Sequence, residues 1–285
     1  MTTPPTLSSL DLNRDYGMTV TSLRGHPGGF ASDCWTADGI WFVKMWRERL
    51  PPAGLTLLND LSAAGLPVPT PIPTVTGELC AFWRGRPYAV FPFVHGRAQT
   101  DGDQRQTALA LRRVHEVRGI DLPYATIDEP EIRQLRERLD HPWIKDRGEE
   151  LLDHILRLER TIERASAKNV SRVVCHQDFG GNNILIENGL VVAILDWDHA
   201  TLGPREHDVW IAAERPDGES FLAAYGARDL DPDHIEYALL ARALRDMAAR
   251  VLTEEDRPGV DTWGFQRIAR LERDLELFRP FCAQI

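Results

Sequence analysis

One segment constrains the fold more than any other: residues 173–210, which read VVCHQDFGGNNILIENGLVVAILDWDHATLGPREHDVW. Two short apolar runs within it, at residues 184–187 and 190–195, have the composition of buried β-strands. Asn188 and Gly189 separate the two runs, and both residue types tolerate the positive φ angles of a two-residue hairpin turn. The segment therefore predicts a β-hairpin, and it is the strongest β signal in a half of the chain that is otherwise helical.

Polar residues flank the open end of this predicted hairpin. Counting back from the turn places Ile184 opposite Ala193 and Asn183 opposite Ile194, with Asp196 just beyond. Carboxylates are costly to bury at the end of an apolar strand, which argues against a purely structural hairpin. An amide and a carboxylate at one end can hold a hard cation such as Mg²⁺, which prefers oxygen ligands.

A catalytic carboxylate is predicted in the loop before the hairpin. Asp178 lies five residues before Asn183, in a glycine-containing loop that can bring its carboxylate near the metal without binding it. A carboxylate in that position can orient a hydroxyl group and accept its proton. With His176 two residues before Asp178, these groups follow the order of the kinase catalytic loop, H-R-D-x-x-x-x-N. Asp178 also begins a DFG triplet, but it fills the catalytic position, which leaves the metal position to Asp196.

The rest of the chain divides by its periodicity. Predicted strands lie at residues 19–24, 32–35, 40–46, 80–83 and 88–93, with one helix at 53–64, and later helices lie at 103–117, 150–167, 232–252 and 263–278. The pattern predicts a small α+β lobe over residues 1–94, a connector at about 91–97, and a larger, mainly helical lobe over 95–285.

Four pieces of the sequence resemble the aminoglycoside phosphotransferase and choline kinase family: AAGLPVPTPI, YAVFPFVHG, CHQDFGGNNILI and VVAILDWDHATLGPREHDVW. Within that family the sequence is most similar to the spectinomycin phosphotransferase branch. The resemblance implies a bilobal, protein-kinase-like α+β fold. A small N-lobe would hold an antiparallel sheet and one helix, and a larger, mainly helical C-lobe would carry the catalytic hairpin. It also implies transfer of the γ-phosphate of ATP or GTP to a hydroxyl of a small molecule.

The resemblance assigns roles to individual residues. It implies that Asp178 is the catalytic base and that Asn183 and Asp196 hold Mg²⁺. His176 and Asp208, the latter in REHDVW, would support the catalytic loop. For the base and the metal ligands, these roles agree with those that residue type and spacing indicate.

Lys44 is the one charged residue in the predicted strand IWFVKMW. It can pair with the α- and β-phosphates of a nucleotide, or it can be a surface lysine near a strand end. The resemblance also implies a glutamate on the following helix as its partner, but the sequence PPAGLTLLNDL has none. Glu48, Asn59 or Asp60 can replace that glutamate, or the pair can be absent.

Further residues are expected around the nucleotide. Two glycines precede the second predicted strand, where the backbone can approach phosphates closely. Backbone groups of the connector are expected to meet the purine, and two leucines of the hairpin form its apolar floor or are ordinary core residues. These residues are Gly28, Gly29, Phe91, Phe93, Val94, Leu185 and Leu195.

Composition limits the partners. The formal net charge is -10, whereas a surface that binds duplex nucleic acid needs a basic footprint. No apolar run is long enough for a transmembrane helix, the N-terminus lacks the pattern of a secretory signal, and the four cysteines lack metal-binding spacing. These features predict a reduced, cytoplasmic protein without nucleic-acid or membrane partners.

The acceptor is the least constrained part of the prediction. The leading hypothesis is an aminoglycoside or aminocyclitol antibiotic, a cationic molecule for which Asp198, His199 and Glu214 are the expected contacts. Acids on the helices of the larger lobe can equally form a solvated surface. One alternative is a metabolic kinase for choline, homoserine or another small alcohol. Another is a weakly active nucleotide-binding sensor, against which the intact catalytic residues argue.

Overall fold

The computed structural model describes residues 7–26, 32–51, 53–253 and 260–283. By its packing the chain forms two compact units, one of Met1–Pro123 with Asp178–Thr201 and one of Tyr124–Gln177 with Leu202–Ile285. The predicted hairpin belongs to the first unit. The domain boundary expected between residues 94 and 95 lies inside the first unit and stays a prediction.

Helices and antiparallel strands share the described part of the chain, which confirms the predicted α+β class. The strands are β1 (Leu23–His26), β2 (Ser32–Ala37), β3 (Trp41–Trp46), β4 (Ala81–Trp83), β5 (Arg86–Pro92), β6 (Arg97–Ala98), β7 (Arg172–Cys175), β8 (Ile184–Glu187), β9 (Leu190–Ile194) and β10 (Thr201–Pro204). The α-helices are α1 (Ser9–Tyr16), α2 (Thr56–Ala63), α3 (Gln104–Glu116), α4 (Pro130–Arg136), α5 (Gly148–Ser166), α6 (Glu206–Val209), α7 (Gly218–Tyr225), α8 (Pro232–Thr253) and α9 (Val260–Phe278).

The first unit is built on an antiparallel sheet with the strand order β1-β2-β3-β5-β4. Side chains alternate between its two faces, as the strand period requires. Val43 of β3 packs with Val90 of β5 in one apolar cluster, whereas Trp46 packs with Phe91 in another on the opposite face. Lys44 lies two positions from Trp46 on β3, so both side chains leave the strand on the same face.

Helix α1 was not predicted from the sequence. Its residues are mainly polar, but Leu12 and Tyr16 are buried in the same cluster as Val43. The Asp11 carboxylate accepts hydrogen bonds from the backbone and hydroxyl of Ser8 at the start of the helix, and Gly17 with φ +64° ends it. The sequence signal for this helix was therefore its capping residues, because the apolar periodicity of an eight-residue helix is weak.

The first predicted strand is wrong in its bounds. A strand was expected at residues 19–24, and β1 instead covers Leu23–His26. The cause is the Asp38 carboxylate, which accepts hydrogen bonds from the backbone amides of Thr21 and Ser22. These bonds hold residues 21 and 22 in a loop. Hydrogen bonds from their backbone amides to the Asp38 side chain replace the backbone hydrogen bonds of a strand.

The hairpin forms as predicted at its turn and differs at its base. Asn188 and Gly189 have φ angles of +50° and +75°, the left-handed values that the turn requires. A bulge opposite Leu185 and Ile186 adds one residue to β9, so Ile184 pairs with Ile194. The predicted pairing of Ile184 with Ala193 is therefore wrong by one residue, as is that of Asn183 with Ile194.

The second unit is mainly helical. Helix α8 packs against α4, α5, α6 and α9 and carries apolar side chains on most of its circumference. Leu240, Leu244 and Met247 are almost fully buried, as expected for a central helix that is covered on several sides. Strands β7 and β10 form a separate two-stranded sheet. In the described ranges, we find no helix with the length and hydrophobicity needed to cross a membrane.

Candidate active site

The loop between β7 and β8 holds Asp178 and Asn183 together. The Asn183 Nδ2 amide donates to Asp178 Oδ2 over 2.9 Å and to the Asp178 carbonyl over 3.0 Å. The Asn183 backbone amide also donates to the carbonyl of Gly180 over 3.0 Å. Both side chains are half-buried. The loop is thereby folded back on itself, and the carboxylate is fixed beside the amide that the sequence predicted as a metal ligand.

The corrected hairpin register brings Asp196 to the same end of the hairpin as Asn183. The Leu195 backbone amide donates to the Asn183 carbonyl over 2.8 Å, one residue before Asp196. Asp196 has a φ of +61°, a left-handed conformation that aspartate adopts more readily than most residues. Non-glycine residues in this conformation cluster at functional sites, where their backbone strain has to be offset by surrounding contacts.

Lys44 binds two carboxylates that follow the hairpin. Its Nζ lies 2.8 Å from Asp196 Oδ1 and 2.7 Å from Asp198 Oδ2. Burial opposes the charge of Lys44, but the two carboxylates outweigh this effect and raise its pKa. The alternative reading of Lys44 as a surface lysine is wrong, because its side chain is only 12% exposed.

None of the three substitutes considered for the missing helix glutamate occupies that position. Helix α2 carries Asn59 and Asp60, and both are exposed, as is Glu48. In the described part of the chain, the carboxylates that bind Lys44 come instead from the segment after β9.

The side chains at the base of the hairpin fit Mg²⁺. The two hydrogen bonds from Asn183 Nδ2 to Asp178 fix the amide plane, which leaves Oδ1 as the other end of the side chain. Asp196 contributes a carboxylate that is 46% exposed. Mg²⁺ takes oxygen ligands and keeps several waters, so an amide oxygen and an accessible carboxylate form a suitable donor set.

In the second unit, Asp208 organises the backbone before Asp178. Its Oδ2 accepts from the backbone amide of His176 and its Oδ1 from that of Gln177, both over 2.7 Å. Asp208 is 1% exposed, so each carboxylate oxygen is matched to a buried donor. His176 is buried too, and Gln177 has a φ of +69°. The Asp208 carboxylate holds two successive amides and thereby stabilises that left-handed residue.

The residues expected around the nucleotide have different environments. Phe91 is buried within β5, and the Phe93 amide donates to the Ile40 carbonyl over 2.9 Å. Val94, Leu185 and Leu195 are half-buried, which suits both a core position and the wall of a site. Gly28 and Gly29 lie outside the described residues.

Two of the three residues that were expected to contact the acceptor are paired with other side chains, and the third is exposed. Asp198 binds Lys44, and its Oδ2 also accepts from Trp46 Nε1 over 2.8 Å. In the second unit, Glu214 pairs with Arg267 at 3.1 Å and with Arg270. His199 is exposed. The substrate role of these residues stays a prediction, and two of them have their charge offset by a neighbouring cation.

A cavity in the second unit was not predicted. It is partly open to solvent, and its lining consists of Gln177, His207, Trp210, Tyr237, Ala238, Ala241, Arg242 and Arg245. Arg242 lies over the Trp210 ring at 5.6 Å, and Arg245 Nε donates to Glu129 Oε2 over 2.8 Å. The sequence signal was the spacing of residues 238, 241, 242 and 245, which is that of one helix face.

Comparisons with known proteins identify relatives of this chain. The model of the phosphotransferase enzyme family matches residues 35–258. A homoserine kinase of Methylobacillus glycogenes is 26% identical over 231 residues, which cover 78% of this chain and 68% of that protein. A homoserine kinase of Methylobacterium sp. (strain 4-46) is 28% identical over 252 residues, which cover 76% of this chain and 75% of that protein.

A similar fold occurs among solved structures. A spectinomycin phosphotransferase in complex with ADP and spectinomycin superposes with a TM-score of 0.70 at 18% identity, covering 97% of this chain and 94% of that one. This likeness confirms the protein-kinase-like fold. With the family match over most of its length, the chain belongs to the phosphotransferase enzyme family, whose aminoglycoside phosphotransferase members share its fold.

Proposed function

We propose that this enzyme transfers the γ-phosphate of ATP or GTP to a hydroxyl group of a small molecule. Asp178 is the catalytic base, and Asn183 and Asp196 are the residues that would hold Mg²⁺. The observation that carries the proposal is the pair of hydrogen bonds from Asn183 to Asp178, which joins the proposed base to a proposed metal ligand. The positions of Lys44 and Asp208 support it.

The chemistry assigned to this chain is positioning and proton acceptance. The Asp178 carboxylate orients the acceptor hydroxyl and takes its proton while the oxygen attacks the γ-phosphorus and the bond to the nucleoside diphosphate breaks. Lys44 pairs with the α- and β-phosphates. Bound Mg²⁺ would supply positive charge against the phosphate oxygens. Asp208 keeps the backbone before Asp178 in place through its bonds to His176 and Gln177.

The nucleotide base is assigned to the first unit. Backbone groups at Phe91, Phe93 and Val94 are proposed to meet the purine, apart from the Phe93 amide, which is bonded to Ile40. Leu185 and Leu195 are proposed as apolar surface. One feature of the fold supports this grouping: a side chain on Gly96 would come within 3.1 Å of Leu185 Cβ. The chain just after Val94 therefore runs directly against the hairpin.

Two acceptor classes remain for this site. The fold shared with spectinomycin phosphotransferase supports an aminoglycoside or aminocyclitol. The similarity to homoserine kinases supports a different acceptor, a small hydroxylated amino acid. The sequence relatives favour the second class, since the homoserine kinases are 26% and 28% identical over three quarters of this chain, whereas the spectinomycin phosphotransferase is 18% identical.

A panel of acceptors tests the proposed function. The purified chain is incubated with Mg²⁺ and ATP or GTP, and products are identified by mass for homoserine, choline, spectinomycin and hygromycin B. We expect phosphorylated homoserine or a related hydroxy amino acid. Phosphorylated spectinomycin would restore the antibiotic as the acceptor. Nucleotide binding without any phosphorylated product would favour the sensor alternative. A cytoplasmic location stays a prediction.

Substitution of Glu214 tests whether this acid contacts the acceptor. If it contacts an ammonium group of the acceptor, Glu214→Gln raises KM and makes KM less sensitive to ionic strength. If its partners are Arg267 and Arg270 alone, the same substitution lowers stability and leaves KM within about twofold. The control is Glu219→Gln, an exposed acid on α7.

A further inference from the structure

Three side chains of the first unit form a hydrogen-bonded group that residue spacing alone did not predict. Asp198 Oδ2 accepts from Lys44 Nζ over 2.7 Å and from Trp46 Nε1 over 2.8 Å. The Lys44 ammonium also lies 5.2 Å from the centre of the Trp46 ring. Lys44 and Trp46 are two positions apart on β3, so one strand presents both donors to the same carboxylate oxygen.

Most of this group is buried. Trp46 is 4% exposed and packs in an apolar cluster with Phe91. The side chain of Lys44 is 12% exposed and that of Asp198 is 18% exposed. An ion pair with limited access to water is screened less than a surface pair, and the indole hydrogen bond adds a fixed direction to it.

Asp196 and Asp198 differ in their exposure and in their contacts other than Lys44. Asp196 is 46% exposed and is the carboxylate assigned to Mg²⁺ in the proposed function. Asp198 is less exposed and is held by the Trp46 indole, a donor that is itself fixed in the core. When a nucleotide and metal bind, Asp198 is therefore the carboxylate suited to stay with Lys44.

In this family a glutamate of the helix after β3 was expected to hold the lysine. Helix α2 has the sequence TLLNDLSA, and its acid, Asp60, is exposed. Among the described residues, two acids on the segment after β9, Asp196 and Asp198, contact the lysine instead. The acidic contact to the lysine is therefore present, but it comes from the segment after β9 and not from helix α2.

We propose that Asp198 is a positioning residue that holds Lys44 in place for the nucleotide phosphates, with Trp46 fixing Asp198. The inference rests on the proposed function, since Lys44 is taken to meet the α- and β-phosphates. It replaces the expectation that Asp198 binds the acceptor. The carboxylate acts through Lys44 and touches neither substrate.

Binding of Mg·ADP, measured by calorimetry, tests the inference without knowledge of the acceptor. Asp198→Asn keeps the shape of the side chain and removes its charge, and we expect it to weaken Mg·ADP binding about tenfold. Adenosine, which lacks the phosphates, should bind to Asp198→Asn as it does to the original protein. Trp46→Phe removes the indole donor and should weaken Mg·ADP binding by about threefold.

A double-mutant cycle with Lys44→Ala distinguishes action through Lys44 from independent action. If Asp198 works through the lysine, Asp198→Asn adds almost no further loss to Lys44→Ala. Full additivity would overturn the inference, because Asp198 would then bind the metal or nucleotide itself. Unchanged Mg·ADP affinity in Asp198→Asn would also overturn it, as would an equal loss of adenosine affinity.

Two controls keep these results interpretable. Asp33→Asn removes an acid of the same sheet that pairs with Arg86, and it should leave Mg·ADP affinity unchanged. If Lys44→Ala leaves Mg·ADP affinity unchanged, the nucleotide role of Lys44 in the proposed function fails, and the inference fails with it. A loss in Lys44→Ala without any loss in Asp198→Asn overturns the inference alone.

Discussion

The side chain of Asn183 binds Asp178 at two atoms, the Oδ2 oxygen at 2.9 Å and the backbone carbonyl at 3.0 Å. One amide group therefore fixes both the carboxylate and the backbone of the proposed catalytic residue. An amide that donates through Nδ2 has its oxygen directed elsewhere, so the same side chain can serve a cation without releasing Asp178. The proposed base and the proposed metal ligand are therefore positioned by a single rotamer of Asn183.

Replacing the proposed base should separate chemistry from binding. We expect Asp178→Asn to lower kcat by roughly 10²–10⁴ while nucleotide affinity stays the same, because general-base loss affects the transferring step. Steady-state kinetics and nucleotide titrations measure the two effects. Glu187→Gln, an exposed acid at the turn end of the same hairpin, is the control. Activity of Asp178→Asn within a few-fold of the original enzyme would contradict the assignment.

The two proposed metal ligands should contribute unequally to the Mg²⁺ dependence of nucleotide binding. Asp196→Asn should remove the Mg²⁺ dependence of nucleotide binding, since it loses a formal charge while asparagine tolerates the φ of +61°. Asn183→Ala should weaken that dependence less, because an amide is neutral, but it should also lower kcat by freeing Asp178. Nucleotide titrations at several Mg²⁺ concentrations provide the comparison. Equal Mg²⁺ dependence in Asp196→Asn and the original enzyme would place the metal elsewhere.

Asp208 should matter for both stability and activity. Asp208→Ala leaves the amides of His176 and Gln177 without their carboxylate, and buried donors of this kind cost roughly 2–4 kcal/mol for the pair. Asp208→Asn keeps one acceptor oxygen and should cost about half as much. Urea unfolding gives the free energies. The matched control is Asp229→Asn, an exposed acid at a positive φ that asparagine accepts. Near-equal stability of Asp208→Ala and Asp229→Asn would show that Asp208 is not a brace.

His207 should make the protein less stable in mild acid. Burial, with a contribution from His234, lowers the pKa of His207 to about 3, whereas the unfolded chain protonates near its ordinary value. Between those values the unfolded state binds the extra proton, so the free energy of unfolding falls as pH drops from about 6.5 towards 3. The contribution at about pH 5 is on the order of 2 kcal/mol.

The measurement is the difference between the original protein and His207→Gln at each pH. Acidic groups elsewhere also titrate, but they are common to both proteins and cancel in the comparison. The difference in unfolding free energy should shift in favour of His207→Gln as the pH falls from about 7.5 to about 5. A difference that is constant with pH would contradict the prediction, because it would mean that the pKa of His207 is the same in the folded and unfolded states.

Local chemistry made the hairpin turn predictable. Asn188 and Gly189 are both at positive φ, a requirement that few residue pairs meet, so the turn could be located from residue type alone. The identity of Asp178, Asn183 and Asp196 as a group followed from their spacing. Those inferences depend on residues close in the chain, and close residues are where sequence patterns carry most information.

The bulge in β9 was beyond such reasoning. The register shifts opposite Leu185 and Ile186, and no glycine or proline in β9 indicates the shift. The contact of Asp198 with Lys44 joins residues 154 positions apart. A sequence pattern identifies neither the bulge nor this ion pair, since both depend on how separate segments meet. Glu214 shows the same limit, because its arginine partners lie more than fifty positions away.

The left-handed backbone at Asp196 has an evolutionary consequence. Asparagine and glycine are the other residues that accept a φ of +61°, and a single base change converts an aspartate codon into a codon for either. Loss of the carboxylate therefore meets no conformational obstacle at this position. Under the proposed assignment of Asp196 to the metal, a folded relative of this enzyme without phosphotransfer lies one mutation away.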